Sequence, residues 1–127
     1  MSDFPTELKY ANSHEWARVE SDGTVIVGIT NHAQDALGDI VFVELPDVGT
    51  AVTAGGDMAT VESFKAASSV YAPLSGEIIE INDSLSDDPA QVNSEPLGAG
   101  WFVKIKLDDP SAADALMDEG AYKALIS

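Results

Sequence analysis

Cysteine is absent from this chain, which excludes disulfide staples, thiolate nucleophiles and cysteine-ligated metal centres. Basic residues are scarce: six Lys and Arg stand against 22 Asp and Glu, a formal net charge of -16. Nucleic-acid phosphates and anionic lipid headgroups both require clustered cations, so neither a nucleic acid nor a membrane surface is an expected partner. Long apolar runs are also missing. Residues 1–7 include Asp3 and Glu7 and no apolar stretch, so neither a signal peptide nor a transmembrane span is expected. The simplest compartment is the cytoplasm, or an organellar matrix had a transit peptide been removed. What is present is 127 residues, 45% hydrophobic, enough for one compact domain over residues 1–127 with a core of its own. Its acidic skin favours solubility and suits encounter with basic patches on partner proteins.

Short strand-like runs at residues 16–19, 24–29, 39–45, 58–63, 68–71, 77–81 and 101–107 alternate with turn residues. Ser21-Asp22-Gly23 is a hairpin signal, Pro46 stops a run, and Ala54-Gly55-Gly56-Asp57 is a turn. Residues 31–37 predict a short helix, capped by Asn31 or Thr30 and closed by Gly38. Asp87-Asp88-Pro89 opens a loop or a single helical turn. In residues 101–107 the alternation puts Trp101, Val103, Ile105 and Leu107 on one face, and Phe102, Lys104 and Lys106 on the other. Beyond Pro110 the period lengthens. Ala112, Ala115 and Leu116, then Tyr122, Leu125 and Ile126, predict C-terminal helices interrupted at Gly120. The pattern predicts a mainly β fold, a small antiparallel barrel or sandwich with helical additions.

Lys65 is the only basic residue between Arg18 and Lys104. It stands in Glu62-Ser63-Phe64-Lys65-Ala66-Ala67-Ser68, between two strand-like runs. If those runs pair, it occupies a hairpin tip, with small Ala66 and Ala67 leaving room for another protein to approach. A Schiff-base or general-base lysine needs burial or neighbouring cations to activate it. The charges near Lys65 in sequence are Asp57 and Glu62, so acylation there calls for a separate enzyme with an activated acyl donor. A loop lysine is ordinarily just a solvated side chain, and position alone does not distinguish the two readings.

The surrounding segments do. Tyr10 with Ser13-His14-Glu15-Trp16, Val27-Gly28-Ile29-Thr30-Asn31-His32-Ala33-Gln34 and Leu37-Gly38-Asp39-Ile40-Val41-Phe42-Val43-Glu44-Leu45-Pro46 come first. The lysine segment follows, then Ala72-Pro73-Leu74-Ser75-Gly76-Glu77, Val92-Asn93-Ser94-Glu95-Pro96 and Gly100-Trp101 with Lys104-Ile105-Lys106. In order and spacing, across nearly the whole chain, these resemble the H protein of the glycine cleavage system, a lipoyl carrier family.

The resemblance implies a hybrid barrel-sandwich with lipoate bound to Lys65 as an amide, Glu62, Ser63, Phe64 and Ala66 completing the attachment motif. It implies a non-catalytic carrier within glycine catabolism and one-carbon metabolism. The arm would receive an aminomethyl group from glycine decarboxylase (the P protein) and yield it to the aminomethyltransferase (the T protein). Dihydrolipoamide dehydrogenase (the L protein) would then reoxidise the arm, which a lipoate ligase or lipoyl transferase first attaches. A tether of this kind raises the effective concentration of its end group at each partner. By the same resemblance, Ser13, Glu15, His32 and Ser69 stand where the family would moor the loaded arm in a cleft. His14 and His32, taken alone, read equally as surface or helix-cap histidines.

Three positions depart from the family pattern: Phe64 for the usual Val, Ser69 for a frequent Asp, and Leu97 for a frequent Tyr. They leave the lysine motif intact and affect how the arm is held. A biotin carrier would flank its lysine with methionines, and a 2-oxo acid dehydrogenase lipoyl domain would bring Ala/Pro-rich linkers; neither is present. A metal hydrolase on His14, Glu15 and His32 lacks the HExxH spacing that sets two imidazoles on one helical face. A relay protein that donates lipoyl groups to other acceptors would show the same lysine segment, and is the alternative reading.

Overall fold

The structure, a computed structural model, describes residues 8–11, 13–20, 24–109 and 116–126. Its strands are β1 (Leu8–Tyr10), β2 (Glu15–Val19), β3 (Thr24–Ile29), β4 (Ile40–Glu44), β5 (Ala51–Val52), β6 (Asp57–Ser63), β7 (Ala67–Tyr71), β8 (Gly76–Ile81) and β9 (Val103–Leu107). Among the described residues four helices accompany them: α1 (Asn31–Leu37), α2 (Ser84–Asp87), α3 (Gln91–Ser94) and α4 (Glu119–Ile126). Two antiparallel sheets result, one ordered β1-β2-β3-β9-β8-β5 and the other β4-β6-β7. This is the mainly β architecture that the strand rhythm predicts. No helix among the described residues is long and apolar enough to cross a membrane.

Alternation along each strand sends one set of side chains inward. Val25, Val27, Val61, Ile78, Val103 and Ile105 are fully buried, and together with Ile40, Val43, Val70 and Leu74 they form the core between the sheets. A second cluster of Tyr10, Trp16 and Tyr122 ties α4 to the outer end of the larger sheet. Gly28 lies opposite Trp16 in the β2–β3 pairing. A Cβ there would sit 2.7 Å from the indole ring, so only glycine lets the ring lie across the neighbouring strand.

Two sequence expectations change here, and other features went unread. Phe102, assigned to the face of Lys104 and Lys106 and away from Val103, is fully buried like Val103: it precedes β9, its N–H donates to the Val27 carbonyl at 2.7 Å, and strict alternation begins only at Val103. β1 and β5 went unread, being too short to show a period. Around Pro89 there are two helical turns, α2 and α3, rather than one. β4 does not alternate, because a bulge between Ile40 and Phe42 turns both Val41 and Phe42 outward. The Ser21-Asp22-Gly23 turn and the helix containing Ala112 and Ala115 lie outside the described residues.

Candidate functional site

The β6–β7 hairpin pairs Glu62 with Ala67 and carries Phe64 and Lys65 at its tip. Ser63 builds that tip. Its N–H donates to the Ala66 carbonyl at 2.8 Å. Its Oγ accepts from the N–H groups of Lys65 (3.1 Å) and Ala66 (3.2 Å). A serine hydroxyl taking amides two and three residues on is a compact way to close a turn. No residue from 63 to 66 needs a positive φ.

Lys65 is exposed, and its chain crosses to α1, where Nζ donates to the Ala36 carbonyl at 3.2 Å. The last carbonyls of a helix have no partner within it and carry the negative end of its dipole, so they suit an amine. α1 is held for this role at both ends. Thr30 Oγ1 accepts from Ala33 N–H at 3.2 Å, while Gly38, at φ 83°, returns its N–H to the Gln34 carbonyl. Asn93 of α3 pins the corner that follows: its Oδ1 accepts from Ile40 N–H at 2.8 Å, and its Nδ2 donates to Gly38 O and Gln34 Oε1, each at 2.9 Å.

Beside the tip runs a cleft of roughly 180 Å³. Ala33, Ala36 and Leu37 of α1 form one wall, Val61 and Val70 another, and Ser13, His14, Glu15, Ser68 and Ser69 supply its polar lining. Ala36 therefore both accepts from the lysine and lines the cleft. Glu15 is almost fully buried; Ser13 Oγ donates to its Oε1, and Tyr71 N–H donates to its Oε2 at 3.2 Å. Burial pushes the Glu15 carboxyl above the ordinary carboxylate range, partly opposed by those hydrogen bonds.

His14 adopts the left-handed region, φ 75°, the only non-glycine among the described residues to do so. That conformation aims Nδ1 at the Tyr122 hydroxyl, 2.7 Å away, which in turn lies 2.7 Å from Thr30 Oγ1. Burial and the nearby His32 push the His14 pKa down, and burial pushes that of Tyr122 up.

The structure thus gathers Ser13, Glu15 and Ser69 around one cleft and separates His32 from it. His32 lines a neighbouring groove of roughly 340 Å³ with Tyr10, Asp35, Leu97 and Tyr122, and meets the cleft only through its ring contact with His14, 4.7 Å between centroids. Leu97 packs there against the Tyr10, Trp16 and Tyr122 cluster. Sequence reasoning gave Ala36, Asn93 and Tyr122 no role at the site. Asn93 stood inside a matched segment; the part played by the Ala36 carbonyl leaves no trace in side-chain identity.

Two antiparallel sheets that present one exposed lysine on a hairpin tip, beside a helix-walled cleft, define a β domain of the carrier class. Residues 8–127 match the family model described as Glycine cleavage H-protein. The glycine cleavage system H protein of Cronobacter sakazakii is 61% identical over 126 residues, covering 99% of this chain and 98% of that protein. Its counterpart in Citrobacter koseri is 60% identical over the same length and coverage. The crystal structure of a glycine cleavage system H protein from Mycobacterium marinum superposes with a TM-score of 0.83, at 39% identity, covering 95% of this chain and 97% of that one. The chain belongs to the glycine cleavage H-protein family.

Proposed function

We propose that residues 1–127 act as one lipoyl carrier unit of the glycine cleavage system, with the lipoyl amide on Lys65 and no catalysis of their own. The observation that carries this reading is the placement of Lys65: exposed on a hairpin tip, its Nζ donating to the carbonyl of Ala36, a residue that lines the cleft. When bound, the lipoyl group supplies dithiol redox and group-carrying chemistry that a chain without cysteine otherwise lacks. The residues fit such a group. Apolar walls from Ala33, Leu37, Val61 and Val70 suit an aliphatic arm, and Ser13 and Glu15 put a carboxyl and a hydroxyl within the same cleft. There Glu15 holds an amine, while the surrounding walls exclude water from it. Ser69, on the same lining, adds a hydroxyl.

In this role the chain shuttles glycine's aminomethyl group from the P protein to the T protein, is reoxidised by the L protein, and works in the cytoplasm after a lipoate ligase or lipoyl transferase loads it. Intact mass after incubation with a lipoate ligase, ATP and lipoate tests it: one lipoyl group on the wild type and none on Lys65→Arg. A folded wild type that gains no mass overturns the carrier reading. The loaded chain is further expected to support glycine-dependent decarboxylation by a P protein. Loading without that support points instead to a lipoyl relay.

A further inference from the structure

The outer face of β4 and the hairpin tip expose more apolar surface than strand alternation permits. The β4 bulge turns Val41 and Phe42 outward together, 43% and 49% exposed, and Phe64 stands 80% exposed next to Lys65. Phe42 lies directly opposite Glu62, two residues before Phe64, so the two rings belong to one end of the same small sheet. Exposed Asp39, Glu44 and Glu62 surround them, and no basic residue other than Lys65 occurs between Arg18 and Lys104. Exposed apolar residues brought to one sheet end by strand pairing, with acidic neighbours, are the profile of a binding surface rather than of scattered exposed hydrophobes.

We propose that Val41, Phe42 and Phe64 form the docking surface for the enzyme that acylates Lys65. The inference rests on the carrier reading above and adds the surface by which the chain is loaded. The chemistry selects this occupant. Amide formation takes place at Nζ, so the acylating enzyme must accommodate the side chains next to the lysine. Enzymes acting at the far end of an attached arm need not touch them. Nζ forms a C–N bond to the acyl carbon of a lipoyl-adenylate, the bond from that carbon to the phosphate oxygen breaks, AMP leaves with the bonding pair, and the ammonium releases two protons. No oxidation or reduction occurs. The partner is therefore an acyl-adenylate-using enzyme with an apolar pocket and a Lys/Arg rim, complementary to the aromatic pair and its acidic surround.

The test compares the unloaded full-length wild type with Phe42→Ser, Phe64→Ser and the double variant, using a lipoate ligase with ATP and lipoate. Initial loading rates are read by intact mass. Binding of the ligase is measured separately by calorimetry in the Lys65→Arg background. Each single change is expected to lower kcat/KM about tenfold and the double change about 100-fold, mainly through KM, with a matching loss of affinity. Phe64 is largely exposed and Phe42 half exposed, so the melting temperature is expected to hold for Phe64→Ser and to fall by no more than a few degrees for Phe42→Ser. Val48→Ser is the control: 59% exposed, it lies in the β4–β5 connection, where Gly49 bonds to Ile78 of the other sheet, and it is expected to load normally. A double variant loading within about twofold of wild type overturns the docking surface and leaves the carrier reading standing. So does a Val48 variant slowed as much as Phe64→Ser. A wild type that fails to load overturns both.

Discussion

Replacing Asn93 with Ala removes a clamp that joins three elements. Its side chain accepts from Ile40 N–H and donates to Gly38 O and Gln34 Oε1, tying α3 to the end of α1 and the start of β4. A hydrogen bond contributes about 0.5–1.5 kcal/mol net, and a buried group stripped of its partner costs about 1–3 kcal/mol. Ile40 is 3% exposed, so its N–H gains no easy replacement from water. Gly38 and Gln34 are only partly buried, and solvent takes over much of their share. The expected loss is therefore about 2–3 kcal/mol, dominated by Ile40. For 127 residues one kcal/mol moves the midpoint by about 3–5 °C, so the melting temperature should fall by about 6–15 °C. Hydrogen exchange should quicken most at residues 31–40, because Ala36, the acceptor of Lys65, lies on the helix that Asn93 anchors. Calorimetry and exchange by mass spectrometry read the two effects. A melting temperature within about 2 °C of wild type, with exchange unchanged over that segment, refutes the reasoning.

Gly28→Ala should destabilise by about 2–3 kcal/mol: the added Cβ meets three atoms of the Trp16 ring at 2.7–2.9 Å, and that ring is held by its Nε1 bond to Pro96 O at 2.9 Å. Urea melts check this, and a neutral result would show that the ring yields easily. Glu15 governs a pH dependence. Burial raises its folded pKa above the ordinary 4.5, so above that value the native state holds a proton that the unfolded chain releases, and stability falls as pH climbs through the raised pKa. Glu15→Gln, which keeps the uncharged shape, should gain on wild type as pH rises above about 4.5, until Glu15 is ionised in the folded state too. A gap that is flat or moves in favour of wild type would show that the hydrogen bonds from Ser13 and Tyr71 outweigh burial.

Several features were legible before any coordinates. Thr30, Gly38 and the apolar rhythm of residues 31–37 announce α1 because capping and helix periodicity are local properties. The two strand-like runs around Lys65 suggested a hairpin tip for the same reason, while its reading as an attachment site needed the matched segments around it. Phe102 was misread because burial of a residue just before a strand depends on the chain packed over it, not on its own alternation. The outward turn of Val41 and Phe42 went unread, since a bulge is set by pairing with β6 and has no signature in β4 alone. His32 separates from the cleft because α1 turns it toward Tyr122 and Leu97, an orientation that follows from how the helix lies on the sheet.

The sequence by itself determined that this chain folds as a mainly β domain bearing one lysine isolated in sequence from other lysines and arginines, because periodicity, capping and charge are encoded residue by residue. Only the tertiary structure decided what that lysine meets. The Ala36 carbonyl is 29 positions away, Asn93 fixes the corner from 53 to 59 positions away, and Glu15 draws its backbone donor from Tyr71. Contacts across such separations arise from sheet pairing and helix packing, and backbone groups make them whatever their side chains are.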